Sequence, residues 1–174
     1  MTNQAISTIL ARRSIRRFDA ERPVDRKIVS LLLECACAAP SAGNRRPWHF
    51  IVVDERAVLD KLSELHPYAG MLKTAPLAVV VCGETERGDK MLDWWEDDCS
   101  AAMENLLLAA EALSLGSVWL GVRHGADELE ARIRAALGAP DSIAVLGIAA
   151  VGWPSETKDP HSGLDAGCLH VNKW

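Results

Sequence analysis

The chain contains no Cys-x-x-Cys pair, no His-x-x-x-His pair and no His-Glu-x-x-His sequence. Zinc sites need ligands at such spacings, so no metal site is expected. Glycine-rich phosphate loops of the P-loop and Gly-x-Gly-x-x-Gly kinds are absent, as is a Gly-x-Ser-x-Gly elbow. That removes the common nucleotide-loop and serine-hydrolase chemistries. No apolar run approaches the roughly 20 residues of a membrane-crossing helix. No basic-then-apolar leader precedes a small-residue cleavage site, which points to a cytoplasmic protein with no membrane partner. Basic residues are in the minority, 19 against 24 acidic, for a formal net charge of -5. Nucleic-acid binders usually carry a basic excess, so nucleic acid is not the expected partner. The cysteines are odd in number, five, and read as reduced thiols, most of them small core hydrophobes.

What is present fits one domain. The 174 residues are 49% hydrophobic and 25% charged, ordinary for a globular chain with a real core. The most unusual local feature is a cationic cluster in this acidic chain: Arg12, Arg13, Arg16 and Arg17 within Arg12-Arg13-Ser14-Ile15-Arg16-Arg17-Phe18. Guanidinium forks match phosphate oxygens, and the Ser14 hydroxyl adds a donor. On these residues alone the simpler reading is a helix end. Ala5, Ile6, Ile9 and Leu10 have near-helical spacing, and arginines in a last turn complement the dipole.

Periodicity and turn residues supply the remaining elements. Pro23-Val24-Asp25 announces a helix over about Asp25 to Ala38. Pro40-Ser41-Ala42-Gly43-Asn44 reads as a loop. Strands are expected at Trp48 to Val53, Leu77 to Cys82, Ser117 to Val122 and Ile143 to Val151, the last buried on both faces. Helices are expected at Ala57 to Leu65, from Leu92 or Asp97 to Leu115 with a fully buried centre, and at Ala126 to Leu137. Gly116 is the expected C-terminal cap of the long helix, at positive φ. The tail from Gly152 to Trp174 lacks periodicity yet ends in Leu169-His170-Val171-Asn172-Lys173-Trp174, which favours docking, one possible surface being a second copy.

Three segments in order resemble the FMN-dependent nitroreductase family: Arg-Arg-Ser-Ile-Arg, then Ala39-Pro40-Ser41-Ala42-Gly43-Asn44-Arg45-Arg46-Pro47-Trp48-His49-Phe50, then Leu115-Gly116-Ser117-Val118-Trp119-Leu120-Gly121. Gly152-Trp153-Pro154-Ser155-Glu156 and the closing Val-Asn-Lys-Trp extend the likeness over nearly the whole chain. The resemblance implies an α+β three-layer sandwich, with a central mixed, mainly antiparallel sheet covered by helices. It implies a single domain, 1–174, in a homodimer whose tail, 152–174, docks on the partner subunit.

It also implies a site. Arg12, Arg13, Ser14 and Arg16 match the motif that holds the FMN phosphate, ribityl chain and pyrimidine edge. Pro40, Ser41, Ala42 and Asn44 match the loop that a partner contributes. Leu120 and Gly121 match the strand end beside the flavin ring. The implied reaction is ping-pong hydride transfer through flavin N5 from NADH or NADPH to a small electron-poor acceptor, a nitroaromatic or quinone. No side chain is expected to act as acid, base or nucleophile, because the flavin carries the chemistry. Flavin fragmentation, dehalogenation or a non-catalytic nucleotide-binding homologue are the alternatives.

Plainer readings stand beside these. Pro40-Ser41 also reads as a helix stop and Asn44 as a turn residue. Trp48 and Phe50 read as core, and Trp119 as core or flavin contact. His49 has no expected chemical role, His124 reads as a capping neighbour, and Glu104 and Asn105 as hydrogen-bonding groups between helices. Three departures from the family pattern are visible. Arg46 stands where Gln is common, and Ser114 replaces the first glycine of a Leu-Gly-Leu-Gly turn. Gly163 falls at the usual position of a tail arginine that binds phosphate, with Lys158 or Lys173 as potential substitutes.

Overall fold

The computed structural model describes residues 3–88, 90–125 and 128–174. Its elements are α1 (Gln4–Ala11), α2 (Arg26–Cys37), β1 (Trp48–Val53), α3 (Arg56–Leu65), β2 (Leu77–Glu84), β3 (Glu86–Arg87), β4 (Lys90–Met91), α4 (Trp95–Ala112), β5 (Gly116–Gly121), α5 (Glu128–Leu137) and β6 (Ile143–Gly152). The first two residues of the expected fifth helix, 126 and 127, lie outside the described residues. No described helix is long and apolar enough to cross a membrane.

The central sheet has the order β1-β2-β6-β5, and all three pairings are antiparallel. The two central strands carry the continuous apolar runs, because both of their faces are covered. Alternation then sorts their side chains. Leu77, Val79 and Val81 of β2 join Leu32, Ala36, Met103 and Leu106 of α2 and α4 on one face. Ala78, Val80 and Cys82 join Leu59, Leu62 and Ile133 of α3 and α5 on the other. Helix pair, sheet and helix pair make the three-layer α+β sandwich. Each fully buried leucine in it contributes roughly 1.5–3 kcal/mol of transfer free energy.

Local signals explain several boundaries. The Asp25 carboxylate accepts from the Lys27 amide at 2.7 Å, capping α2. Asn3 caps α1 in the same way, through the Ala5 amide at 2.9 Å. Helix α1 buries no residue, and its Ile6 and Ile9 are 52% and 56% exposed. The expected apolar face is there, but no layer of the same chain covers it.

Three expectations are corrected. The left-handed residue after α4 is Ser114, at φ 61°, and not Gly116. The Ser114 amide donates to Glu111 O at 2.9 Å and the Leu115 amide to Ala110 O at 2.8 Å, so the helix ends in a Schellman motif with serine at its αL position. Gly116 serves close packing instead, since a Cβ there would stand 2.7 Å from Ile15 Cγ2. Second, only Cys82 and Cys99 are buried among the five thiols, and burial pushes both up to about 12. Cys37 and Cys168 are exposed, because their segments face solvent in this chain. Third, the centre of α4 is buried on its sheet side but not all round. Glu104 and Asn105 stay partly exposed toward α1 and α2, and the Asn105 amide donates to Cys35 O at 3.1 Å.

Candidate functional site

The arginine cluster begins at the end of a helix but lies almost wholly beyond it. Helix α1 ends at Ala11, its last turn holds no basic residue, and Arg12 is its C-cap with extended backbone. The helix-end explanation therefore covers only Arg12, and the chain from Arg13 onward runs past the outer edge of β5. There the Ile15 amide donates to Ser117 O at 2.9 Å and the Ile15 side chain is buried. This anchor fixes the position of Ser14 and its neighbours against the sheet.

A second segment lies antiparallel along the first. The Ser155 amide donates to Arg17 O at 2.9 Å, and the His161 amide to Leu10 O at 2.9 Å. Between them the Arg16 amide donates to Glu156 Oε1 at 2.6 Å, Lys158 Nζ to Ser14 O at 2.5 Å, and the Arg13 guanidinium to Asp159 O. The Arg16 amide, with Lys158 behind it, holds the Glu156 carboxyl below its usual value. Arg12 is turned to α4, its Nε 3.3 Å from Glu104 Oε1. Arg13, Lys158, Ser114, Glu111 and Glu156 line a cleft of about 280 Å³. Two cationic side chains, Arg13 and Lys158, and the Ser114 hydroxyl thus line one cleft with two carboxylates, Glu111 and Glu156, while Arg12 lies outside it against Glu104.

Gly163 takes no part in this cluster. It is exposed, at φ 81°, with open space around it. Lys158 is the tail cation that reaches the arginine motif.

The Pro40–Asn44 loop builds a separate unit. Gly43, Asn44 and Arg46 all have φ between 49° and 58°, which glycine and asparagine tolerate and arginine does not favour. Ser41 Oγ accepts from the Arg46 amide at 3.0 Å, and Asn44 Oδ1 accepts from Arg46 Nε at 2.9 Å. The Ala42 amide donates to the buried Asp98 carboxylate of α4 at 2.8 Å. Pro40 and Asn44 are exposed, Ser41 and Ala42 half-buried. Among the described residues, no hydrogen bond or ion pair joins this loop to the arginine cluster of the same chain.

The end of β5 forms the third part. Leu120 is buried, whereas Gly121 is exposed and nothing lies within 4 Å of where its Cβ would be. Its carbonyl is held by His66, with Nε2 at 3.0 Å, while Nδ1 of that ring accepts from the Tyr68 amide at 3.2 Å. Those two bonds require the neutral tautomer that carries its proton on Nε2. Tyr68, 78% exposed, stands next to this pinned strand end. Trp119, two residues before Gly121, packs partly buried against the α2/α4 layer with its indole Nε1 unpartnered. His49 is exposed and bonds Glu84 at 3.1 Å. The Arg87 guanidinium, then that imidazole, hold the Glu84 carboxyl below its usual value despite partial burial.

Sequence reading missed His66, Tyr68, Asp98 and Glu130. None sits in a motif, and only the packing of α3, α4 and α5 against the strand ends brings them into play.

The sequence profile of the Nitroreductase family matches residues 9–66 and 63–153. An Archaeoglobus fulgidus protein with the provisional name NADH dehydrogenase/NAD(P)H nitroreductase is 40% identical, over 98% of this chain and 99% of its own. Among solved structures, a similarly named Parabacteroides distasonis protein superposes with TM-score 0.91 at 39% identity, covering 99% of this chain and 100% of its own. An FMN-dependent nitroreductase of Clostridium difficile gives TM-score 0.89 at 32% identity, over 97% of this chain and 99% of its own. With the family profile spanning most of the chain and the same fold in these relatives, the chain belongs to the nitroreductase family.

Proposed function

We propose that the protein is an FMN-dependent oxidoreductase that takes electrons from NADH or NADPH and passes them to a small electron-poor acceptor such as a nitroaromatic or a quinone. The observation that carries this reading is the pairing of segment 155–161 with segment 10–17, which brings Lys158 to the Ser14 carbonyl and Arg13 to Asp159, next to Arg12 on its Glu104 partner. A phosphate monoester carries about -1.5 to -2 charges at neutral pH and suits such a donor set. Arg12, Arg13, Ser14 and Lys158 would hold the phosphate, and Arg16 the pyrimidine edge. Bound FMN would supply the two-electron redox chemistry. The exposed Gly121 backbone, with no side chain in the way, leaves room for a flat ring at the strand end.

The protein acts as a homodimer in this reading. Ile6 and Ile9 of α1 and Leu164, Leu169, Val171 and Trp174 of the tail are exposed in the single chain. A groove of about 540 Å³ lined by Ile9, Cys35, Ala38, Leu108 and Ala109 adjoins α1. Apolar surface of this extent suits burial against a second copy, and the tail would cross to it. The self-bonded Pro40–Asn44 loop, remote from the arginines of its own chain, would reach the site of the other copy.

The non-catalytic alternative rests on Gly163 at the usual arginine position; Lys158, held on the Ser14 carbonyl, is a tail cation beside the motif and supports the enzyme reading instead. Flavin fragmentation and dehalogenation remain the alternatives of the same class.

The test is a visible spectrum of the purified protein, then anaerobic titration with NADH and with NADPH. Yellow protein that bleaches on titration and releases FMN on denaturation is expected. Colourless protein that FMN cannot reconstitute overturns the reading.

A further inference from the structure

His124 and Glu130 form a dyad outside every motif of the sequence. Glu130 lies in the first turn of α5 with its side chain 5% exposed, whereas the His124 side chain is 40% exposed. His124 Nδ1 lies 2.9 and 3.0 Å from the two carboxylate oxygens. The same carboxylate accepts from the Val145 amide at 2.8 Å and the Gly125 amide at 3.3 Å, and Arg134 Nη1 stands 3.5 Å away. Burial alone would raise the Glu130 carboxyl, but these donors outweigh it and keep it ionised. An ionised, immobile carboxylate fixes the imidazole with its proton on Nδ1, leaving Nε2 as the atom that gains and loses one. No described residue bonds Nε2.

The ring is also placed. It packs edge-on against Trp95, with centroids 5.3 Å apart at 86°. Trp95 begins α4, whose Asp98, one turn on, holds the Pro40–Asn44 loop. His124 itself follows Gly121 by three residues. An oriented, partly exposed imidazole therefore sits at the sheet end where Gly121 opens to solvent. Among the described residues, the charged groups on the elements that face it are Glu130 and Arg134 of α5, Arg123 beside it, and Glu96, Asp97 and Asp98 in the first turn of α4.

We propose that His124 is the acid that protonates the acceptor, with Glu130 as its positioning residue. The inference rests on the oxidoreductase reading above. Conversion of a quinone to a hydroquinone takes up two electrons and two protons. A hydride equivalent from the reduced nicotinamide, relayed by the enzyme, brings both electrons and one proton to the acceptor. The Nε2–H bond of the His124 imidazolium breaks to give the second proton to the acceptor oxygen. The neutral ring keeps its Nδ1 proton on Glu130 and is reprotonated at Nε2 from water.

The experiment compares wild type, H124N and E130Q as full-length holoenzymes, each with p-benzoquinone and with ferricyanide, which takes electrons without protons. H124N keeps an amide donor for Glu130. The quinone rate of H124N should fall by about 10²-fold, the lower end of general-acid effects, with the ferricyanide rate within about twofold of wild type. E130Q should fall less, again with quinone only. Imidazole ¹⁵N spectra of the wild-type protein should place the His124 proton on Nδ1, and E130Q should lose that preference. Equal quinone rates in wild type and H124N, an equal loss with both acceptors, or a neutral ring with its single proton on Nε2 would overturn the assignment and leave the oxidoreductase reading standing. Wild type that neither nicotinamide reduces overturns both.

Discussion

The amine of Lys158 donates to the main-chain carbonyl of Ser14 at 2.5 Å, joining residues 144 positions apart. It places a tail cation beside the arginine motif, at a residue other than the one counted back from the C-terminus. The family's usual tail arginine falls on Gly163 by that count, and Gly163 lies in open space. The reason is chain direction: segment 155–161 runs antiparallel to segment 10–17, so the residue facing Ser14 is set by the ladder.

If Lys158 helps to hold the FMN phosphate, K158M should weaken FMN binding by about one to two decades, the value of one charge-assisted hydrogen bond at about 1.5–3 kcal/mol. R12A should do at least as much, since it removes a phosphate donor and leaves Glu104 unpaired. Fluorescence titration of apoprotein with FMN measures both. Unchanged affinity in both variants would remove the cluster as the phosphate anchor.

Ser114 offers a stability test that is independent of the cofactor. At φ 61° it bears the left-handed penalty of an L-residue, partly offset by its lower unfolded-state entropy. S114G should stabilise the fold by about 0.5–1 kcal/mol. G116A should destabilise it by about 1–3 kcal/mol, because its Cβ would meet Ile15 at 2.7 Å. Urea unfolding midpoints should therefore move in opposite directions for two changes only two residues apart.

Glu130 sets a pH dependence whose sign follows from linkage. Its carboxyl is held below the ordinary 4.5 in the folded chain, so the unfolded state binds its proton first as pH falls. The stability it contributes is complete above that ordinary value and is lost as pH drops through the lower folded value. Between neutral pH and the acid range, wild type should lose more stability than E130Q, as read from thermal melts across pH. Parallel curves for the two proteins would show that the carboxylate is not the group responsible.

His66 pins Gly121 through one ring nitrogen and the Tyr68 amide through the other. H66L removes both bonds from a buried ring to exposed partners, at about 0.5–1.5 kcal/mol for each bond. A lower melting temperature is expected, with faster amide exchange concentrated at Tyr68 and the end of β5. A uniform change in exchange would argue against a local pin.

Removal of residues 163–174 should turn a dimer into a monomer in sedimentation velocity if the tail crosses to a second copy. Those residues make few contacts with their own chain, and Trp174 is fully exposed. A truncated chain that remains dimeric would restrict the interface to α1 and its neighbouring groove.

Much of the fold follows from local pattern. The uninterrupted apolar runs of β2 and β6 can only be strands covered on both faces, Asp25 marks a helix start by its side-chain chemistry, and spaced leucines give α2 and α3 their buried sides. The arginine motif and the Pro40–Asn44 loop were also visible, because their residue types and order carry the family likeness. Ser114 was misjudged because helix termination depends on which carbonyls remain to be bonded, and a glycine two residues later looked sufficient.

The sequence by itself determined the layers, the four strands of the central sheet, the family and the cationic motif, since each depends on residues near one another in the chain or on period, but not the short β3–β4 hairpin. Tertiary structure alone decided that Lys158 meets Ser14, that His66 holds Gly121, and that a buried Glu130 orients an exposed His124. Those pairs join segments that share no periodicity, and only the packing of helices on a twisted sheet brings a donor within reach of its acceptor.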